Sequence, residues 1–355
     1  MTLYLIGSAI LIFPSLLAAN AKQDSWIAAL AAFAGGLLTI PMYISLANRF
    51  PGLGLAEYCQ LILGKWLGKA MFVLFLSYPM LSLILTLRNI GDFMTTQILQ
   101  DTPIQAIHIL FITIVVFGVK LGLEPIARAA ELLFPVVMLL FFILLLLVSP
   151  EMKLANLEPV LENGWKPVLK GAIPFFSFPF LSPIVFLTLL PAANRQGAAG
   201  KAMVKGVLLG GAMLAIMTVV TISVLGYGQV ARDSFPSYEL AKVISIGDFL
   251  QRIEIIMAII WFLTIFFRMS LLHYIVTLGI AQVFGLREHR ILALPLAVAV
   301  IPLSIYTVPS STYLSNFNKS ALPHFVFTFA IAFPLLLYVV ALIRKSGISR
   351  HAIGK

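Results

Sequence analysis

The chain has 355 residues, of which 61% are hydrophobic and only 11% charged, and its mean hydropathy is +1.03. This composition excludes a soluble globular protein and is typical of a chain that crosses the membrane many times. The net charge of +10 comes from basic residues scattered between apolar runs, which fits membrane orientation and not a nucleic-acid-binding patch. The single cysteine, Cys59, excludes an intrachain disulfide and a cysteine-rich metal site.

Ten apolar runs predict an all-α integral membrane protein that forms one transmembrane domain, 1–355. The predicted spans are 3–19, 26–47, 66–88, 104–119, 129–148, 171–191, 203–226, 253–281, 291–308 and 322–343. A cleaved signal peptide is the alternative for the first run, but no basic residue precedes that run. Between spans 7 and 8, residues 236–250 have apolar residues on one helical face, which predicts a short amphipathic helix on the outer membrane surface.

Two of the ten spans contain residues that interrupt a helix. Span 6 carries Pro174, Pro179 and Pro183, and each proline removes a backbone donor and clashes with the preceding turn. Span 1 has Gly-Ser-Ala at 7–9, followed by Pro14. Backbone groups freed inside a bilayer need partners from the protein or a water-filled cavity, so such breaks are candidate binding sites.

The two interrupted spans are five spans apart, which predicts an internal repeat. Because five is odd, the second half enters the membrane in the opposite sense, so we predict a 5+5 inverted repeat with halves 1–149 and 150–355. The alternative is that glycine and proline are simply frequent in membrane helices. With the N-terminus inside, 14 of the 24 basic residues fall on the inner side and nine on the outer, so both termini are predicted to be cytoplasmic.

The predicted ligand site lies between the two breaks. Small residues in span 1 would let a ligand approach the backbone, and the N–H groups of a half-helix would suit a carboxylate; close helix packing is the alternative. In span 3, Tyr78 and Ser82 share a face, although an interior tyrosine bonded to a neighbouring backbone explains them equally well. The predicted lining residues of spans 1, 3 and 6 are Gly7, Ser8, Ala9, Tyr78, Ser82, Phe176, Ser177, Phe178 and Leu181.

Arg268 is the most informative single residue, because it lies well inside span 8. An arginine in mid-membrane is costly and usually faces the protein interior or a cavity. Its neighbours Thr264, one helical turn earlier, and Phe267 complete the predicted site. His273 is five residues further on and is predicted to be structural. We expect no enzyme and no cofactor or metal, because no nucleophile–base set, histidine-rich metal spacing or glycine-rich phosphate loop occurs.

Seven segments, in this order and spacing, resemble a known family from residue 5 to about residue 345. They are IGSAILIFP (6–14), RFPGLGLAEYCQLILGKWLG (49–68), LRNIGDFM (87–94), TPIQ (102–105), LEPVLENG (157–164), FPSYELAKVISIGDFLQRIE (235–254) and FFRMS (266–270). The chain resembles the B subunit of the nutrient germinant receptors of bacterial spores, a branch of the amino acid–polyamine–organocation superfamily.

The resemblance implies a LeuT-like fold of ten helices and a small nutrient ligand, an amino acid by preference. It also implies A and C receptor subunits as partners and the spore inner membrane as the location. In sodium-coupled relatives of the fold a cation lies between spans 1 and 8, and we hypothesise that the Arg268 guanidinium replaces it by bonding span 1 carbonyls. Two departures bear on the ligand: Ala9 replaces a glycine, and no acid lies near Ser182. A proton-coupled amino-acid transporter is the alternative function.

Overall fold

A computed structural model describes residues 1–7, 9–192, 196–243 and 252–344, and every regular element within these ranges is helical. Span 1 comprises Thr2–Ile6 and Ala9–Ala21, and spans 2 to 5 are Ser25–Arg49, Lys65–Phe93, Ile104–Leu121 and Leu123–Val148. Span 6 comprises Trp165–Phe175, Phe176–Phe180 and Ser182–Thr188, and spans 7 to 9 are Gln196–Leu225, Glu254–Phe284 and Ala293–Tyr306. Span 10 comprises Ala321–Phe327, Thr328–Ala332 and Phe333–Ile343. Shorter helices connect the spans at Leu55–Leu63, Tyr227–Val230, Pro236–Val243 and Ser311–Lys319.

Nine stretches of the described chain are long and apolar enough to cross a membrane. The first of them, Ala9–Arg49, has 41 residues and includes a 3₁₀ turn at Lys22–Asp24, where Lys22 has a positive φ of 52°. A left-handed residue ends an α-helix, so this stretch contains the second half of span 1 and all of span 2. With that division, the described chain contains the ten predicted spans, and the all-α membrane fold is confirmed.

The backbone of span 1 is interrupted where the small residues predicted it. The helix Thr2–Ile6 ends at Gly7, whose N–H bonds the carbonyl of Leu3 at 3.1 Å, and the next helix begins at Ala9. Ser8, between them, lies outside the described residues. Span 1 therefore consists of two separate helices.

Span 6 leaves α-helical geometry without becoming extended. Its α-helix ends at Phe175, a π-helical turn covers Phe176–Phe180, and a 3₁₀ helix follows at Ser182–Thr188. The prolines account for both transitions, because each removes an i→i−4 bond and the chain recovers by changing its hydrogen-bond spacing. The predicted break is present, but it is a change of helix type and not an uncoiled segment.

The two interrupted spans lie together inside the bundle. The helix Thr2–Ile6 packs against spans 7 and 8, and Ala9–Ala21 packs against the first helix of span 6. Most residues of both span 1 helices are buried, which accounts for their nearly continuous apolar sequence.

Two connecting helices lie beside the interrupted spans. Leu55–Leu63 joins spans 2 and 3 and contacts the 3₁₀ part of span 6, whereas Pro236–Val243 joins spans 7 and 8 and contacts the second helix of span 1. The second of these was predicted to lie on the membrane surface, and in the structure its described part packs against spans 1, 7 and 8. Five of its eight residues are buried, and Ser237 Oγ donates to the carbonyl of Ile10 at 2.7 Å. Residues 244–250 of the predicted helix lie outside the described residues.

Candidate functional site

Aromatic side chains join the two interrupted spans. The ring of Phe13, in the second helix of span 1, lies 5.4 Å from Phe175 and 5.0 Å from Phe178 between centroids. In the first helix of span 1, Tyr4 meets Phe186 edge to face at 5.1 Å. Offset and edge-to-face contacts at these distances are favourable. Both halves of span 1 are therefore held against span 6.

Arg268 of span 8 enters the break in span 1. Its side chain is fully buried, and Nη1 donates to the carbonyl of Tyr4 at 3.1 Å. A Cβ added at Gly7 would lie only 2.9 Å from Arg268 Cδ and 3.0 Å from its Cβ. The glycine is thus what allows the arginine stem to lie against the end of the helix. The hypothesised bond from Arg268 to a span 1 carbonyl is present in the structure.

Two aromatic rings cover the guanidinium. Arg268 Cζ lies 4.7 Å from the centroid of the Tyr4 ring and 4.6 Å from that of Phe178. Ring faces carry a negative potential, so each contact stabilises the cation, and more strongly in a site without water. The rings come from spans 1 and 6, so Arg268 binds both interrupted spans at once.

The charge of Arg268 has no carboxylate partner within the described ranges. None of the ion pairs found there includes it, and its Nε and Nη2 atoms have no hydrogen-bond partner among the described residues. Arginine remains protonated in proteins, so this interior position carries a full positive charge. The arrangement suits an anion or the carboxylate of a zwitterion.

Two tyrosines interact with the arginine, and each has a serine beside it. Tyr78 lies close enough to Tyr4 and Arg268 for electrostatic interaction, with Ser82 one turn further along span 3. Tyr4 in turn lies beside Ser182 at the start of the 3₁₀ segment. All of these side chains are buried. The structure therefore brings the predicted Tyr78 and Ser82 to the same place as Arg268.

Tyr43 of span 2 stabilises the altered backbone of span 6. Its hydroxyl lies 2.8 Å from the carbonyl oxygen of Ala330 and 3.3 Å from that of Leu181, so the two carbonyls share its single hydrogen. Leu181 is where the π turn gives way to the 3₁₀ helix, and Ala330 belongs to a π turn in span 10. A buried hydroxyl thus serves carbonyls in two segments that depart from α-helical geometry.

The remaining predicted residues bond or pack locally. Ser177 Oγ donates to its own helix at Pro174 O, 2.9 Å away, and Thr264 Oγ1 donates to Ile260 O at 2.8 Å. Phe176 lies against Phe327 of span 10 at 5.7 Å. Ala9, Leu181 and Phe267 are buried in the core. The geometry therefore concentrates the candidate site on Gly7, Tyr78, Ser82, Phe178 and Arg268.

The sequence analysis did not identify three polar residues of this site, which are Tyr4, Tyr43 and Ser182. Ser182 belongs to the site as a neighbour of Tyr4. Tyr4 had a usable signal, because it is three residues before Gly7 and its carbonyl lies at the end of a half-helix. Tyr43 had none, because a tyrosine in an apolar span predicts an interfacial anchor as readily as an interior bond.

A second buried polar cluster joins spans 3, 4 and 9. Arg88 Nε pairs with Asp92 Oδ1 at 2.8 Å, and Arg88 Nη1 donates to the carbonyl of Val308. His108 lies nearby with Nδ1 3.0 Å from Ser304 Oγ. Asp92 Oδ2 and His108 Nε2 have no partner within the described part of the chain. His108 lies in the second turn of span 4 and is fully buried.

His273 was predicted to be structural, and its Nε2 lies 2.9 Å from the carbonyl of Ala293 in span 9. No group of three histidine, cysteine or acidic side chains suited to a metal ion occurs within the described ranges. The chemistry available at the breaks is binding through one cation, several hydroxyls and aromatic faces.

Comparison of the sequence with known proteins identifies a family. The profile of the family described as spore germination protein matches residues 1–312. Spore germination protein KB of Bacillus subtilis is 29% identical over 347 residues, which cover 96% of this chain and 91% of that protein. Spore germination protein YndE of the same organism is 26% identical, with 97% of this chain and 94% of that protein covered. Spore germination protein A2, also from Bacillus subtilis, is 24% identical, with 96% and 93% covered.

Proposed function

The chain belongs to the spore germination protein family, and we propose that it is a nutrient-sensing membrane subunit of a germinant receptor. In this proposal a small amino acid binds in mid-membrane between the interrupted spans 1 and 6. One observation carries the proposal: Arg268, buried and without a carboxylate partner in the described chain, contacts both interrupted spans at Tyr4 and Phe178. A buried ionisable residue of this kind inside a membrane bundle is a functional-site hypothesis by default.

The arrangement of the connecting helices supports a 5+5 inverted repeat with halves 1–149 and 150–355. Leu55–Leu63 follows span 2 and contacts span 6, and Pro236–Val243 follows span 7 and contacts span 1. The two helices thus occupy corresponding places, five spans apart, each beside the broken span of the other half. Together with the bias of basic residues, this repeat would place both termini in the cytoplasm.

In this proposal the chain works with other receptor subunits in the spore inner membrane. Ligand binding between the breaks would change the relative position of spans 1, 6 and 8, and partner A and C subunits would respond to that change. No enzymatic activity is part of the proposal, and it requires no cofactor.

A proton-coupled amino-acid transporter is the second candidate, and the cluster at Asp92 favours it. Asp92 Oδ2 and His108 Nε2 are buried ionisable atoms without partners in the described chain, which is the kind of group that carries a proton in a membrane bundle. Uptake of labelled amino acids into proteoliposomes that contain this chain alone separates the two functions. Sustained accumulation driven by a proton gradient would favour transport, whereas binding without uptake would favour sensing.

The proposed function is tested by ligand-dependent thermal stabilisation of the purified full-length chain in lipid nanodiscs. A ligand that binds only the folded protein stabilises it in proportion to the logarithm of its concentration over Kd. We expect a small subset of the common amino acids to raise the unfolding temperature, and we expect spores that lack the chain to lose germination in response to that same subset. A panel without any stabilising amino acid would contradict the proposed ligand class.

A further inference from the structure

One edge of the Arg268 guanidinium has no hydrogen-bond partner among the described residues. The group has five N–H donors in a planar fork. Nη1 donates to the carbonyl of Tyr4, and the ring centroids of Tyr4 and Phe178 lie 4.7 and 4.6 Å from Cζ. Nε and Nη2 lack a hydrogen-bond partner in the described chain. These two atoms lie on the same edge of the fork, where two parallel N–H groups match the two oxygens of a carboxylate.

The surroundings of this edge provide no negative charge within the described ranges. The polar side chains that interact with Arg268 are Tyr4 and Tyr78, and both carry hydroxyl groups, not carboxylates. An interior cation without an anion is unfavourable, and a bound anion removes that penalty. A neutral hydroxyl ligand, such as a sugar, would leave the charge uncompensated.

We propose that the Nε–Nη2 edge of Arg268 binds the carboxylate of the nutrient, so that the ligands of this chain are small molecules with a free carboxylate. This inference rests on the proposed function, since it assumes that the nutrient binds at the breaks. It differs from the sequence expectation, in which half-helix N–H groups of span 1 would receive the carboxylate. The rings of Tyr4 and Phe178 and the carbonyl of Tyr4 hold the guanidinium in place between spans 1 and 6.

The experiment compares carboxylates with their amides, which have nearly the same shape but lack the negative charge. Thermal unfolding of the full-length chain in nanodiscs is measured with propionate against propionamide, and with each common amino acid against its amide. We expect the carboxylate to stabilise the protein and the amide to bind about 100-fold more weakly, because two charge-assisted hydrogen bonds are replaced. Equal stabilisation by carboxylate and amide would overturn the inference.

Variants provide a second and independent comparison. Arg268→Lys keeps the charge but loses the fork, and we expect carboxylates to bind at least tenfold more weakly. Arg268→Met removes the charge and should abolish the difference between carboxylate and amide. Arg128→Met is the matched control, because Arg128 is an exposed arginine paired with Glu124 at 2.6 Å. If Arg268→Met does not fold, the inference is still tested by Arg268→Lys and by the comparison of each carboxylate with its amide on the wild-type chain.

The outcomes separate this inference from the proposed function. If amino acids and their amides stabilise the chain equally, the sensing function stands and the role of Arg268 in binding the carboxylate is refuted. If propionate stabilises the chain only when Arg268 is present, and no amino acid stabilises it, then Arg268 binds carboxylates and the proposed sensing of amino acids is refuted. If no compound stabilises the chain, both the proposed function and the carboxylate inference are refuted. If Arg268→Lys binds carboxylates with wild-type affinity, bidentate binding by the Nε–Nη2 edge is refuted.

Discussion

The substitution Gly7→Ala tests how Arg268 is held at the break in span 1. The added Cβ would lie 2.9 Å from Arg268 Cδ, 3.0 Å from Arg268 Cβ and 3.2 Å from the carbonyl oxygen of Tyr4. Arg268 Cβ is fixed to its own helix and the side chain is buried on all sides, so the neighbour cannot simply rotate away. Overpacking of this kind costs about 1–3 kcal/mol. The reduced freedom of the unfolded chain offsets about 0.4–1 kcal/mol of that cost.

The net expectation for Gly7→Ala is therefore a loss of about 1–2 kcal/mol in the free energy of unfolding. Unfolding by SDS in mixed micelles measures that free energy. Gly118→Ala is the matched control, because its Cβ would meet Phe266 Cζ at an ordinary 3.5 Å. Since alanine is the better helix former, the control should be neutral or more stable by up to about 1 kcal/mol.

A double-mutant cycle then assigns the loss to Arg268. In an Arg268→Ala background the contact with Cδ is gone, so Gly7→Ala should cost less than in the wild type. If Gly7→Ala proves as mild as Gly118→Ala, or if the cycle shows no coupling between positions 7 and 268, then the arginine does not lie against the end of the helix as described.

Three further changes test other parts of the structure. Tyr43→Phe should lower the free energy of unfolding in the same SDS titration by about 1–3 kcal/mol, because the buried carbonyls of Ala330 and Leu181 lose the donor that they share; an unchanged midpoint would refute this. Asp92→Ala should cost about 3–5 kcal/mol by leaving Arg88 buried without its carboxylate, and a neutral variant would show that the pair is dispensable. Burial raises the pKa of the Asp233 carboxyl, so the folded chain holds its proton more tightly than the unfolded chain. Stability is then lost as pH rises from the ordinary pKa towards the raised one, and Asp233→Asn should raise the unfolding temperature at pH 7 more than at pH 4.

The positions of the spans could be predicted because a bilayer demands long apolar runs, and the chain offers ten of them. The breaks at 7–9 and in span 6 could also be predicted, since glycine and proline act on the local backbone. Arg268 was identifiable because a charged side chain inside an apolar span is costly and usually marks a functional or interior position. Each of these signals is local in the sequence.

The side-chain partners could not be predicted from the sequence. Tyr4 and Arg268 are 264 residues apart, and Tyr43 and Ala330 are 287 apart. In a membrane bundle the lipid-facing and core-facing sides of a helix are both apolar, so periodicity does not reveal which side packs. Phe176 illustrates this limit, because its neighbours Ser177 and Phe178 gave no indication that its ring lies against span 10.

The connecting helix Pro236–Val243 shows a related limit. Its mixed composition is that of an interfacial helix, and that reading is sound for a helix surrounded only by lipid and water. The bundle provides a third environment, in which Ser237 donates to Ile10 and Tyr238 meets Phe93 edge to face at 5.1 Å. Amphipathic character reports two kinds of surroundings but does not distinguish a membrane surface from a polar-lined protein groove.

The uncompensated charge of Arg268 also bears on how a ligand would change the conformation. The structure is closed around the arginine, with Tyr4, Tyr78, Ser82 and Phe178 buried. A ligand shifts a conformational equilibrium only by its difference in affinity for the two states. In the proposed mechanism a carboxylate gains most in the closed state, where burial lowers the effective dielectric constant around its pairing with the guanidinium. Binding would then favour closure of spans 1 and 6 around the ligand, and a neutral analogue of equal size would bind without supplying that difference.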